Sequence, residues 1–566
     1  MRPSLLAASL AIVVAPFHAF AAANDPVRAK HGMVASSSGE ASEAGVEILK
    51  AGGNAVDAAV AVALALAVTH PSAGNLGGGG FMLVRMADGK STTIDYREVA
   101  PKAATRDMYL DAQGNVLPDA STNGYRAVGV PGTVAGLELA LSKYGTKSWA
   151  AVSAPAIRLA KKGFVLSKPL ADELREQAPR FAPFPESKRI WNRDGKFYEE
   201  GERFTQPELG KTLERLAKVG PRDFYTGQIA TLIDADMKRG GGLVTKDDLA
   251  AYRPKERAPL TGTYRGYDVL TMPPPSSGGA TLLQELNILE FYDLAKIGAN
   301  GSQADHLMLE AMRRAFADRA LFFGDPDFVD VPVAALTSKD YAAKQRATIV
   351  ADKATPSSAF AAGRKPPVEG PHTTHFTVVD AKGNVVSNTF TLNMGFGSGV
   401  TVAGAGFLLN DEMDDFTSKP GVPNGFGLIQ GEANAIAPGK RPLSSMTPTV
   451  LLKDGKPYLV LGSPGGPTII NTVLQVILGV VDFHRDVEAA VAAPRLHQQW
   501  MPDVVFDEID GLAPDTERAL TSMGYVVKQS PWGVMGDCEA VMIEPGTGMR
   551  LGASDPRGSD ARAVGY

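Results

Sequence analysis

His372-Thr373-Thr374-His375-Phe376-Thr377-Val378-Val379-Asp380 is the stretch that organises this chain. It puts hydroxyls at the head of a β-branched, apolar run, the kind of sequence that fits the pleated surface of a strand. Asp380-Ala381-Lys382-Gly383-Asn384 supplies turn residues before a second alternating run, so 373–380 and 385–393 are predicted to pair as a hairpin. A pivot near Lys382 sets Thr373 opposite Thr391, and the period of two sends Thr389, Thr391 and Asn393 to one face. An internal threonine is a poor nucleophile, because its hydroxyl is weakly acidic and has no built-in base. Cutting the His372–Thr373 bond would free the α-amine of Thr373 to accept the proton from its own Oγ. The stretch therefore reads as the start of a self-processed chain, although a Thr-Thr dipeptide taken alone is ordinary strand sequence.

Around this stretch lie 566 residues, enough for several domains or for one large α/β sandwich. Hydrophobic residues at 44% and charged ones at 21% suit a globular protein with ample core. A formal charge of −5 gives no electrostatic reason to expect nucleic acid. Arg2, the apolar run Leu5 to Ala15 and the small residues Ala19 to Ala23 read as a signal peptide over 1–23, cleaved after 21 or 23. That run is shorter than the ~20 residues needed to span a bilayer, so the mature chain is expected to be periplasmic or secreted, with no membrane anchor. Ala55 to Val68 reads instead as a buried helix capped by Asn54. Cys538 is the only cysteine, which excludes an intramolecular disulfide.

Apolar spacing predicts helices over Ser148 to Lys162, Lys168 to Arg175, Leu209 to Lys218, Thr281 to Tyr292 and Ala304 to Phe322, with a strand at Tyr264 to Met272. Ala351 to Pro371 reads as a mobile linker ending at the cut. Beyond it, Gly406 to Leu409, Pro448 to Lys453 and Tyr458 to Gly462 read as strands, and Thr468 to Val481 and Val487 to Ala493 as helices. Pattern alone supports α/β or α+β.

Thr373-Thr374-His375 with Thr391-Leu392-Asn393 resembles the start of the small subunit of the γ-glutamyltranspeptidases, the glutathione hydrolases. The likeness continues through Leu409-Asn410-Asp411-Glu412-Met413-Asp414-Asp415-Phe416, Arg441-Pro442-Leu443-Ser444-Ser445-Met446 and Gly462-Ser463-Pro464-Gly465-Gly466. Upstream, Asp95-Tyr96-Arg97-Glu98, Pro131-Gly132-Thr133-Val134-Ala135-Gly136 and Met272-Pro273-Pro274-Pro275-Ser276-Ser277-Gly278-Gly279 match in the family's order. The resemblance implies a four-layer αββα Ntn-hydrolase sandwich built jointly by a large subunit, 24–372, and a small catalytic subunit, 373–566, associated non-covalently after autocleavage. It implies transfer of a γ-glutamyl group from glutathione or a related compound to water, an amino acid or a dipeptide, with no cofactor.

The same likeness assigns roles. Thr373 is the expected nucleophile and Thr391 its support, while Gly465 and Gly466 offer N–H groups to an oxyanion with no Cβ in the way. A γ-glutamyl group carries a carboxylate and an ammonium. Arg97, Ser444 and Ser445 suit the first, and Glu412 and Asp415, with Asn393 bridging, suit the second. Asp415 to Gly427 resembles a movable lid in which Phe426 takes a position often held by Tyr. Gly77-Gly78-Gly79-Gly80 lacks the Lys-Ser/Thr of a phosphate loop, Gly395 to Gly399 lacks dinucleotide spacing, and no Gly-x-Ser-x-Gly elbow occurs. His372 and His375 have no third ligand nearby, so no metal is expected. Two rival readings keep the scaffold: a cephalosporin acylase cleaving a glutaryl amide, and a binding protein that never self-cleaves.

Overall fold

The computed structural model describes residues 25–360 and 373–566. The signal-peptide reading, His372 and the second half of the expected linker lie outside them.

The hairpin forms with the expected register. Strands Thr374–Val379 and Val385–Thr391 pair from Thr374 opposite Phe390 to Val379 opposite Val385, which carries Thr373 to the end facing Thr391. The hairpin sits at the centre of a seven-stranded sheet ordered Arg562–Gly565, Met33–Ser36, Thr374–Val379, Val385–Thr391, Gly79–Arg85, Ser91–Asp95, Lys255–Arg257. A second seven-stranded sheet runs Val27–Ala29, Arg550–Ser554, Glu539–Ile543, Lys456–Gly462, Thr449–Lys453, Tyr267–Thr271, Leu260–Tyr264. Each sheet draws strands from both sides of the 372–373 junction.

Period-2 alternation divides the hairpin between two environments. Phe376, Val378, Val386 and Phe390 face outward into the core beneath helix Ala55–Thr69. Val379 and Val385 point inward and meet Val450 and Val460 of the other sheet. On that inner face the polar residues cluster toward the Thr373 end. Ser387 Oγ donates to Leu461 O (2.9 Å) and Thr377 Oγ1 to Glu539 O (3.1 Å). The His375 ring lies between Thr389 Oγ1 (2.8 Å) and Thr377 Oγ1 (3.2 Å), and burial drops its pKa to about 3. His375 is thus a neutral spacer between the sheets.

Helices cover both outer faces, completing the αββα sandwich. Ala55–Thr69 is buried along its whole length, and its start is closed by a capping box. Asn54 Oδ1 accepts from the N–H groups of Val56 and Asp57, and Asp57 Oδ2 accepts from Asn54 N–H. Gly278–Leu289, Ser302–Phe322 and Thr468–Val481 form the layer over the second sheet.

Two expectations need correction. Gly406 to Leu409 is not a strand: Leu408 and Leu409 make only isolated bridges to Thr401 and Gly77. Gly406 has φ +75°, which bends the chain away from a ladder. Residues 351–360, the first half of the expected mobile linker, are anchored. Thr355 N–H donates to Glu310 Oε1 (3.0 Å), Ser357 N–H to Asp503 Oδ2 (2.8 Å), and Ser357 Oγ to Trp500 O (2.6 Å).

Candidate active site

The neighbourhood of Thr373 is set by backbone packing. Strand Val385–Thr391 is flanked by Gly79–Arg85, whose approach depends on the glycine run before it. A Cβ on Gly78 would collide with the carbonyl oxygen of Thr391. Asn75 Nδ2 donates to that same carbonyl (2.8 Å). Thr391 Oγ1 accepts from Asn393 N–H (2.8 Å) and stands 3.4 Å from Thr373 Oγ1, a long hydrogen bond of the kind that tightens when substrate binds. Asn393 makes the turn with φ +84°, and its Nδ2 donates to Asp411 O (3.2 Å). Thr373 is 8% exposed, so it is screened from solvent yet still lines a pocket.

Opposite it, Gly465 and Gly466 adopt φ +131° and +54°, conformations that side chains rarely tolerate. Gly466 lines the pocket and Gly465 sits one residue behind it. They lead into helix Thr468–Val481, so the positive end of a helix dipole faces the pocket. Neither glycine N–H donates to another group among the described residues.

Arg97 anchors the loop half of the pocket. Its guanidinium donates to Glu412 Oε1, Asp415 Oδ2, Leu443 O (3.1 Å) and Pro442 O (3.2 Å), and Glu98 Oε2 lies 3.8 Å away. Burial alone would lower the pKa of Arg97, but the carboxylates outweigh it and hold the cation firmly charged. One guanidinium cannot neutralise two buried carboxylates and a third that is partly exposed. Burial raises Glu98 to about 7 against the pull of Arg97, and it raises Glu412 well above the usual range. Glu98 Oε1, Glu98 Oε2 and Glu412 Oε2 have no hydrogen-bond partner among the described residues. A proton held by this pair supplies the missing donor.

The loop from Asp415 to Gly427 is tied to the same acids. Asn424 Nδ2 donates to Asp415 Oδ1 (3.2 Å), while Asn424 Oδ1 accepts from Phe426 N–H and Leu428 N–H (both 3.1 Å). Gly425 N–H donates to Asp414 Oδ2 (2.9 Å). The Phe426 ring lies against Gly466, where a Cβ would be 2.7 Å from it. The closed pocket holds only about 20 Å³, roughly room for one water.

The family model for gamma-glutamyltranspeptidase matches residues 41–565. The chain belongs to this family. The glutathione hydrolase proenzyme of Escherichia coli (strain K12) is 51% identical over 96% of this chain and 93% of its own length. The acylase ACY 1 proenzyme of Pseudomonas sp. (strain SE83) is 38% identical over 93% and 92%. Among solved structures, the cephalosporin acylase from Bacillus halodurans aligns with a TM-score of 0.85 at 30% identity, covering 98% of this chain and 99% of that one. A γ-glutamyltranspeptidase chain from Helicobacter pylori aligns at 0.57 and 48% identity. It covers 60% of this chain but 95% of itself, the proportion of a shorter, separate polypeptide.

Against the family pattern, one pocket gathers Thr373, Thr391, Asn393, Arg97, Glu412, Asp415, Ser444, Ser445, Phe426 and Gly466. Sequence reasoning passed over Arg319. Its buried guanidinium reaches the site from helix Ser302–Phe322, with Nε donating to Ser277 Oγ (2.9 Å) and Nη2 to Ser445 Oγ (3.1 Å). Burial lowers it to about 10, so it stays charged at neutral pH. Its only sequence signal is the run of buried arginines, 313, 314 and 319, on a helix with no free polar face. Glu98 was also unassigned, although it sits inside a quoted motif.

Proposed function

We propose that Thr373 is the nucleophile of a self-processing γ-glutamyltransferase and glutathione hydrolase. The observation that carries this reading is the meeting of Thr373 and Thr391 with Arg97, Glu412, Asp415 and Gly466 in one pocket. In the precursor, Thr373 Oγ attacks the carbonyl of His372. The resulting ester is hydrolysed, leaving a chain of residues 24–372 associated non-covalently with one of 373–566 and freeing the Thr373 amine. That amine then takes the Oγ proton as Oγ attacks the γ-amide carbon of glutathione or a similar compound. The Gly465 and Gly466 N–H groups would donate to the tetrahedral oxyanion. The leaving amine takes the proton, and the γ-glutamyl ester passes to water, an amino acid or a dipeptide.

For substrate to enter, the lid must lift and Arg97 must exchange a carboxylate partner for the α-carboxylate of the γ-glutamyl group. The released Asp415 and Glu412 then meet the α-ammonium, and Asn424 links that event to lid position. Ser445 Oγ already accepts from Arg319, so its own proton is directed to an acceptor such as the substrate carboxylate. Among the described residues no helix is long and apolar enough to cross a membrane. The leader read from the sequence over 1–23 supports a periplasmic or secreted enzyme.

The test is intact-mass analysis of active protein together with Thr373→Ala. Active protein should show fragments beginning near residue 24 and at residue 373, and the variant should stay uncut and inactive. A fully active single chain would overturn the reading.

A further inference from the structure

A second cavity, of about 470 Å³, shares no lining residue with the threonine pocket. Leu294, Met308, Leu478, Phe483 and Leu512 give it apolar walls. Gln475 and Leu478 place it on the same helix that starts at the glycine pair. Leu478 lies roughly 13 Å along that helix from Ile469, at a rise of about 1.5 Å per residue. The volume and the mostly apolar lining are those of a small-molecule site.

Three ionisable groups line this space with no ion-pair partner among the described residues: Asp305, Arg485 and the exposed Asp510. Asp305, in the first turn of helix Ser302–Phe322, is 6% exposed, and its Oδ2 is buried with no hydrogen-bond partner among the described residues. Burial, then the nearby charge of Asp507, pushes its pKa up to about 7. Arg485, half-exposed, donates to Asn300 Oδ1 (3.2 Å) and lies over the Phe483 ring, and it makes no ion pair among the described residues. The other arginine on the wall, Arg495, is already paired with Asp555. An unpaired carboxylate in an apolar cavity costs stability that a hydrogen-bonding neighbour would normally offset. Asp305 and Arg485 line one space without forming an ion pair with each other.

We propose that this cavity binds a small zwitterion with an apolar body, its ammonium on Asp305 and its carboxylate on Arg485. The molecule supplies both missing counterions at once and fills the hydrocarbon space between them.

The probe is 6-aminohexanoate, titrated calorimetrically into the processed two-chain enzyme, with hexylamine and hexanoate as half-probes. We expect saturable binding that Asp305→Asn and Arg485→Gln each weaken by about tenfold or more, the scale of a lost charge-assisted hydrogen bond. Hexylamine should respond only to Asp305→Asn and hexanoate only to Arg485→Gln. Hydrolysis of γ-glutamyl-p-nitroanilide should keep its kcat and KM in both variants, since neither residue touches the threonine pocket. Absence of saturable binding at millimolar probe, or binding that both variants retain at parental strength, overturns the proposal. Asp305→Asn keeps the size of a buried acid whose Oδ2 has no hydrogen-bond partner among the described residues, and it should fold. If it does not, Arg485→Gln with the hexanoate arm decides the matter alone.

Discussion

The two halves of the threonine pocket are built by different physics. The hairpin half is held by backbone: strand register, a glycine run that admits close approach, and an asparagine gripping the Thr391 carbonyl. The loop half is held by side-chain charge, with one guanidinium among three carboxylates and a lid fastened to one of them. Backbone thus fixes the position of Thr373, while the loop half rests on side-chain contacts that can exchange partners. Losing the reacting atom should have the largest effect. On the proposed reading Thr373→Ala removes the attacker in both cleavage and catalysis, so mass analysis should find a single chain and assays no turnover.

Recognition should break in a different way. A glutaryl amide keeps the carboxylate but lacks the ammonium, which leaves Glu412 and Asp415 facing an unfilled site. Sites built around a polar group reject analogues lacking it strongly. We expect a large kcat/KM preference for γ-glutamyl over glutaryl amides. Asp415→Asn should erode it by losing the glutamyl substrate, whereas Arg97→Ala should weaken both. Equal kcat/KM values in the parent would favour acylase chemistry, which the relatives named as acylases show to be compatible with this scaffold.

Thr391 tests the hairpin half more gently. A lost hydrogen bond here is worth roughly 1–3 kcal/mol, on the order of ten- to a hundred-fold in rate. Thr391→Ala, once processed, should lose that much kcat, and Thr391→Ser should keep most of it. Parental kcat in the alanine variant would return Thr391 to an ordinary strand role.

The contrast also explains what the sequence could reveal. The hairpin was legible to its register because turn residues and alternation are local signals, and Thr373 opposite Thr391 follows from them alone. The loop half was legible only through its resemblance to a family, since an isolated Arg97 or Asp415 carries no periodic mark. Arg319 was hidden because a buried arginine on a helix looks like any other until the facing loop is placed. Short strands such as Glu539–Ile543 and Arg562–Gly565 are too brief for periodicity to pick out. The pairing of Arg97 with Glu412 and Asp415 joins residues more than three hundred positions apart.

Arg319 sharpens the loop half without touching the nucleophile. Arg319→Gln removes the cation that orients Ser445, so KM for γ-glutamyl-p-nitroanilide should rise several-fold, in line with one charge-assisted hydrogen bond, while kcat changes less. Arg319→Lys should recover part of the affinity. A fall in kcat with KM unchanged would place Arg319 with the reacting atoms instead.

The smallest effect concerns the proton held beside Arg97. Burial lifts Glu98 to about 7 from its ordinary 4.5, with Arg97 pulling it down and Asp415 pushing it up again. A carboxyl raised on folding binds its proton more tightly in the native state. Its stabilising contribution is therefore complete below pH 4.5 and is lost as pH rises through 7. Glu98→Gln stays neutral at every pH and keeps the shape of the protonated acid. Its melting temperature relative to the parent should therefore climb between pH 5 and pH 8, as the parent alone is forced to bury a charge. The opposite pairing, in which Arg97 keeps Glu98 ionised throughout, predicts a constant difference across that range. Thermal melts of the two processed proteins at matched ionic strength separate these outcomes, and a flat difference would remove the shared proton from the loop half of the site.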